Sequence, residues 1–131
     1  MTEEHSNAAL MRRLFEAFGR RDGAAVAGLF DRDIVWRVGG DTPMSGEYRG
    51  WRDVAVFLRR TTQETDGTYR SSLVWALGGD GHAAAVYHAN GMRRGRELDI
   101  EQLLLCDVHD GRIATATAIP FEADAFVGFW S

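Results

Sequence analysis

The sequence predicts one α+β domain, with three N-terminal helices packed on a strongly curved antiparallel β-sheet to form a cone. Three observations carry that prediction. Helical apolar spacing marks the first half of the chain, four long strand-like runs joined by turn residues follow it, and several of those runs are apolar on both faces. A lone sheet must cover its apolar side, so this order of parts sets the helices over one face.

From Asn7 the apolar residues Leu10, Leu14, Phe15 and Phe18 recur at helical spacing, with Arg12, Arg13, Glu16, Arg20 and Arg21 on the other face. This predicts a first amphipathic helix. Asp22 reads as the N-cap of a short second helix, Ala24 to Phe30, whose Val26, Leu29 and Phe30 pack back on the first. Asp31-Arg32-Asp33 ends it. The β-branched and aromatic run Ile34 to Val38 predicts a strand, stopped by Gly39-Gly40-Asp41-Thr42-Pro43, and the loop is expected to continue through Gly50. A third helix starts near Trp51, buries Val54, Phe57 and Leu58, and fades through the polar stretch Thr61 to Gly67.

Four strands follow, Thr68 to Leu77, His82 to Met92, Glu97 to Val108 and Arg112 to Pro120. Their separators, Gly78-Gly79-Asp80-Gly81, Arg93-Arg94-Gly95-Arg96 and His109-Asp110-Gly111, carry turn chemistry. The run Leu103-Leu104-Leu105-Cys106 is apolar on both faces. One face lines a pocket under the helices, and the other is expected to meet a second copy in a two-fold homodimer.

A chain of 131 residues, 45% of them apolar, buries one core and leaves no room for a second domain. Its net charge of −4 gives no broad attraction to phosphate backbones or anionic bilayers, so neither nucleic acid nor membrane is an expected partner. Cys106 is the single cysteine, which excludes an internal disulfide and fits a reducing, cytoplasmic setting. Met1-Thr2-Glu3-Glu4-His5 is polar and acidic, unlike a signal peptide, and no apolar run approaches membrane-spanning length. His5, His82, His88 and His109 are scattered, so neither a metal nor another cofactor is expected.

Several phrases, Leu14-Phe15-Glu16-Ala17-Phe18, Leu29 through Trp36, Gly46-Glu47-Tyr48-Arg49-Gly50 and Asp110-Gly111-Arg112-Ile113, together with the order of parts, resemble the SnoaL-like polyketide cyclase branch of the nuclear transport factor 2-like superfamily. The resemblance spans nearly the whole chain and implies the cone. It says less about chemistry, because that superfamily holds cyclases, a ketosteroid isomerase, dehydratases, epoxide hydrolases and non-enzymatic binders. Matching the isomerase sets its base on Val38, its tyrosine on Leu14 and its protonated acid on Gln102, so none of the three keeps a titratable group. Matching a SnoaL-type cyclase sets the acid on Gln102 and the histidine on His88. An epoxide hydrolase needs two carboxylates bridged by an arginine, which the inferred inward positions do not supply.

Hairpin geometry pairs the same two residues: if residues 93 and 97 flank a three-residue turn, His88 lies opposite Gln102 on one face. A glutamine amide donates and accepts hydrogen bonds but is no base at neutral pH, so His88 is the expected acid or base and Gln102 its polarising partner. A strand histidine is also a common core or interface residue. A slip of the hairpin by one residue would instead turn Tyr87 toward Gln102. Asn90 shares the face of His88 near the rim, Asp99 and Glu101 take the opposite face, and Arg93, Arg94 and Arg96 are expected to form a solvated turn. Leu14, Phe18, Trp36, Val38, Phe57 and Leu104 are the expected pocket walls.

Two functions compete on this reading. One is a cyclase- or isomerase-like enzyme acting on a polyketide-type or other apolar carbonyl compound. The other is a binder of small apolar ligands without chemistry, which the missing acids favour. A pure dimerisation module would leave the polar pair unexplained.

Overall fold

A computed structural model describes residues 4–131. Met1, Thr2 and Glu3 of the polar N-terminal stretch lie outside those residues. Helix α1 (Ser6–Arg20) starts on His5, whose ring accepts the Asn7 N–H, and ends on Arg21 in the left-handed conformation (φ 54°). Asp22 caps α2 (Gly23–Leu29) as expected, accepting the Ala25 N–H at 3.0 Å. Phe30, expected as the last helical residue, opens strand β1 (Phe30–Val38) instead. Its backbone is captured by pairing with Ile113, and its ring joins Ile34, Trp36 and Val38 on the inward face.

The stretch read as a continuous loop contains a short strand, β2 (Gly46–Arg49), before α3 (Gly50–Gln63). Burial does not hold β2. It pairs with β1 at the sheet edge, and Arg37 and Arg49 both donate to Glu47, so no apolar alternation marks it. The four long strands follow as expected: β3 (Arg70–Gly79), β4 (His82–Arg93), β5 (Arg96–His109) and β6 (Arg112–Pro120). A fourth helix, α4 (Ala123–Trp130), was not expected. Its signal is present but only eight residues long, with Phe126, Phe129 and Trp130 at helical spacing and all buried.

The sheet order is β2-β1-β6-β5-β4-β3. Strands β3 to β6 form the expected antiparallel meander, while β1 joins β6 in parallel. Inward residues alternate cleanly along β4 and β5, from Ala83, Ala85 and Tyr87 to Leu98, Ile100, Gln102 and Leu104. Helix α1 lays Leu10, Met11 and Leu14 on this concave face, closing the core.

Arg93 departs from the solvated turn expected of it. It is 5% exposed, on the inward face of β4, and its guanidinium donates to the carbonyls of Phe129 and Ser131 and to the Glu64 carboxylate. The reason is α4, whose last carbonyls have no helical partner and need a donor. Arg96 donates to the Gly128 carbonyl from the exposed side, while Arg94 is solvated.

Candidate functional site

Between the concave sheet and the helices lies a cavity of about 610 Å³, within the usual range for a small-molecule site. Five of the expected wall residues line it, Phe18 from α1, Trp36 and Val38 from β1, Phe57 from α3 and Leu104 from β5. Leu14 does not. It is wholly buried between α1 and the sheet, and Phe15, one position further round the helix, takes the wall. The aromatic rings pack edge-on or tilted against one another, with Trp36 meeting Phe18, Phe30 and Phe57 at centroid distances of 6.3, 6.1 and 6.1 Å.

The polar pair inside the cavity is not the one that a three-residue turn predicts. Arg93 pairs with Arg96, so the connection is the two-residue turn Arg94-Gly95, with φ of 52° and 76°. Both residues are left-handed, as a type I′ turn requires. The register therefore shifts by one: Gln102 faces Tyr87, and His88 faces Glu101. A one-residue slip sends each side chain to the other side of the sheet. His88 stands on the outer face beside Asp99, with which it pairs, and Asn90 is exposed on that same face; neither lines the cavity.

Gln102 and Tyr87 are 3% and 5% exposed, and the Gln102 Nε2 donates to the Tyr87 hydroxyl at 2.5 Å. With its oxygen accepting, Tyr87 keeps its own proton free to donate. Burial pushes the Tyr87 pKa well above the ordinary tyrosine value; Tyr69 nearby adds to the rise and the Gln102 hydrogen bond opposes it. The group is a neutral donor at any physiological pH. Two polar atoms of the lining residues stay buried and unpaired, the Gln102 Oε1 acceptor and the Trp36 Nε1 donor. Cys106 lies against the Met11 sulfur at 3.9 Å, and burial pushes its thiol up to about 12, so it is packing rather than a nucleophile.

Several wall residues escaped the sequence reading. Phe126 and Trp130 come from α4, and Tyr69 immediately precedes β3, with its pKa raised by burial. The exposed part of the lining, and so the mouth, carries Arg21, Arg59 and Arg70 with Asp22 as the one carboxylate. The helical spacing from Phe126 to Trp130 would have revealed the first two. No local pattern marks the arginines, which reach the lining from three separate parts of the chain, the end of α1, α3 and the start of β3.

Residues 11–116 match the SnoaL-like domain family. The uncharacterized protein Rv0034 of Mycobacterium tuberculosis is 33% identical over 123 residues, covering 93% of this chain and 94% of the relative. Among solved structures, Bal32a from a soil-derived mobile gene cassette aligns with a TM-score of 0.92 at 25% identity, over 96% of this chain and 97% of that one. An NTF2-like protein of unknown function from Burkholderia pseudomallei gives 0.84 at 18% identity, over 97% and 98%. A candidate polyketide cyclase from Xanthomonas campestris gives 0.77 at 20% identity, over 96% and 97%. The last two speak for the fold alone. With four-fifths of its length matched and a cone of this topology, the chain belongs to the SnoaL-like domain family and has the nuclear transport factor 2-like fold.

Proposed function

We propose that the protein binds a small, largely apolar molecule carrying a carbonyl or hydroxyl oxygen, of the kind found in polyketide-type compounds. One observation carries this reading: the Gln102–Tyr87 pair is buried in the wall of a cavity lined mainly by apolar and aromatic side chains, offering a protonated hydroxyl and an unpaired amide oxygen. Aromatic walls supply affinity by burial, and the pair fixes where the ligand's oxygen goes.

The test is calorimetric titration with 1,8-dihydroxyanthraquinone. Tyr87→Phe and Gln102→Leu, which keep shape and remove hydrogen bonds, are each expected to weaken binding about tenfold. His88→Ala is expected to leave it unchanged, because that ring stands on the outer face. Equal affinity for the native protein and both pocket variants would end this reading.

A second reading is cyclase- or isomerase-like chemistry, favoured by the way Tyr87 stays protonated and could donate to a substrate oxygen as negative charge grows there. The carboxylate of the lining is Asp22, whose Oδ1 already accepts the Ala25 N–H. Proton exchange at the α-carbons of 2-tetralone in D2O discriminates between the readings. Exchange no faster with the protein than without it leaves the binder alone.

The outer sheet face supports the homodimer. Trp75, Leu77, Leu105 and Ile119 are 44%, 61%, 49% and 39% exposed there, an apolar surface of the kind that a second copy covers. Sedimentation of the 14.6 kDa chain at micromolar concentration is expected to give twice that mass, and Leu105→Arg to return the monomer. A native chain that sediments as a monomer removes the proposal.

A further inference from the structure

We infer that the ligand is an amphipathic anion, an apolar body in the cone with a carboxylate or similar acidic group held at the mouth by Arg21 and Arg70. The inference rests on the binding reading above and adds the charge of the ligand and the end at which that charge sits.

Arg21 and Arg70 approach from different elements and share one acceptor. The Arg21 Nη2 donates to the Gly67 carbonyl at 2.7 Å, and the Arg70 Nη1 donates to the same oxygen at 2.9 Å. Their guanidinium groups are therefore no further apart than two hydrogen bonds laid end to end. Both also touch the Tyr69 carbonyl, at 3.5 and 2.9 Å. Two like charges at that separation repel each other, and neutral carbonyls offset only part of the repulsion. Among the described residues neither arginine forms an ion pair with a carboxylate. Arg59 brings a third positive charge to the lining.

The surroundings point the same way. The chain as a whole carries −4, yet the cavity lining holds three arginines against Asp22, whose Oδ1 is engaged as the α2 cap. Asp66, next to Gly67, is exposed and outside the lining. The field at the mouth is thus opposite in sign to that of the molecule, which draws anions to this one opening. Arg21 also holds a left-handed backbone, φ 54°, where glycine or asparagine is favoured, so the chain accepts a local cost to set an arginine there. Each guanidinium has five N–H donors, and the carbonyls use a minority of them. The remainder can take both oxygens of a carboxylate, the geometry in which arginine binds anions best.

A matched pair of three-ring probes tests this on the full-length protein: 9-anthracenecarboxylate, which is charged, and 9-anthracenecarboxamide, which is not. At low salt the acid is expected to bind about tenfold more tightly. The double variant Arg21→Gln, Arg70→Gln is expected to erase that preference, so that acid and amide bind it equally. Should the double variant fold poorly, the native protein still decides the matter, because raising salt to about 0.5 M is expected to collapse the preference for the acid without moving the amide. Amide binding without preference for the acid, or a preference insensitive to both salt and substitution, overturns the anion site and leaves the binding reading standing. Failure of both probes to bind overturns the two together.

Discussion

A Gly78→Ala variant is expected to lose about 3 kcal/mol of stability, at the upper end of what overpacking by one methyl group costs. A Cβ at Gly78 would meet the Ala8 backbone nitrogen at 2.4 Å and the Asn7 carbonyl carbon at 2.9 Å. Both are main-chain atoms of the first turn of α1, so no side chain can swing aside. Nor can that turn move off freely, because the Asn7 side-chain amide donates to the Gly79 carbonyl and His5 caps the helix beside it. Either α1 lifts from the sheet or β3 bends. In a domain of this size the expected fall in melting temperature is roughly 10 °C. Gly79→Ala is the control: nothing lies within 4 Å of its added methyl, and a change below about 1 kcal/mol is expected. Equal melting temperatures for the two variants would show that the closeness of α1 to β3 does not constrain the fold.

The second large effect belongs to Arg93→Met. Methionine keeps the apolar stem in its buried place but removes three hydrogen bonds, those to the Phe129 and Ser131 carbonyls at 3.1 and 3.0 Å and that to the Glu64 carboxylate at 3.0 Å. Glu64 is half-exposed and can turn to water, and the Arg93 hydrogen bond is the main reason its pKa lies below the ordinary value. Ser131 is exposed and its oxygen can also turn to water, but the Phe129 carbonyl, left buried and unpaired, is expected to cost about 2 kcal/mol. Part of that cost is avoidable if α4 undocks, which would withdraw Phe126 and Trp130 from the cavity wall. Hydrogen exchange is therefore the sharper readout. Amides of residues 124–131 are expected to exchange about a hundredfold faster in Arg93→Met, with β5 little changed, whereas Arg96→Met should alter neither by much because its bond to Gly128 lies at the surface. Unchanged protection of α4 in Arg93→Met would mean that Phe126, Phe129 and Trp130 hold the helix by burial alone.

Both effects arise where distant segments meet, and that is where the sequence is least informative. The helical spacing of Leu10, Leu14, Phe15 and Phe18, the cap at Asp22 and the alternation along residues 82–108 are local patterns, and each was legible because burial of one face repeats with the period of the element itself. The short strand Gly46–Arg49 was not legible, since pairing and ion pairs with β1 hold it, not its own burial. The walls of the cavity, Phe18, Trp36, Val38, Phe57 and Leu104, followed from the elements that carry them.

By itself the sequence determined the class of fold, the apolar character of the cone and the presence of Gln102 as the single polar residue on the inward face of its strand from Leu98 to Cys106. It left open which side chain meets that glutamine. The tertiary structure decided this through one turn, because Arg94 adopts a left-handed backbone that arginine seldom takes, which shortens the connection to two residues and brings Tyr87, not His88, into the cavity. The arginine mouth was likewise beyond reach of the sequence. Arg21 and Arg70 lie 46 and 3 positions from the Gly67 carbonyl they share, and only the packing of α1 against β3 brings them to it.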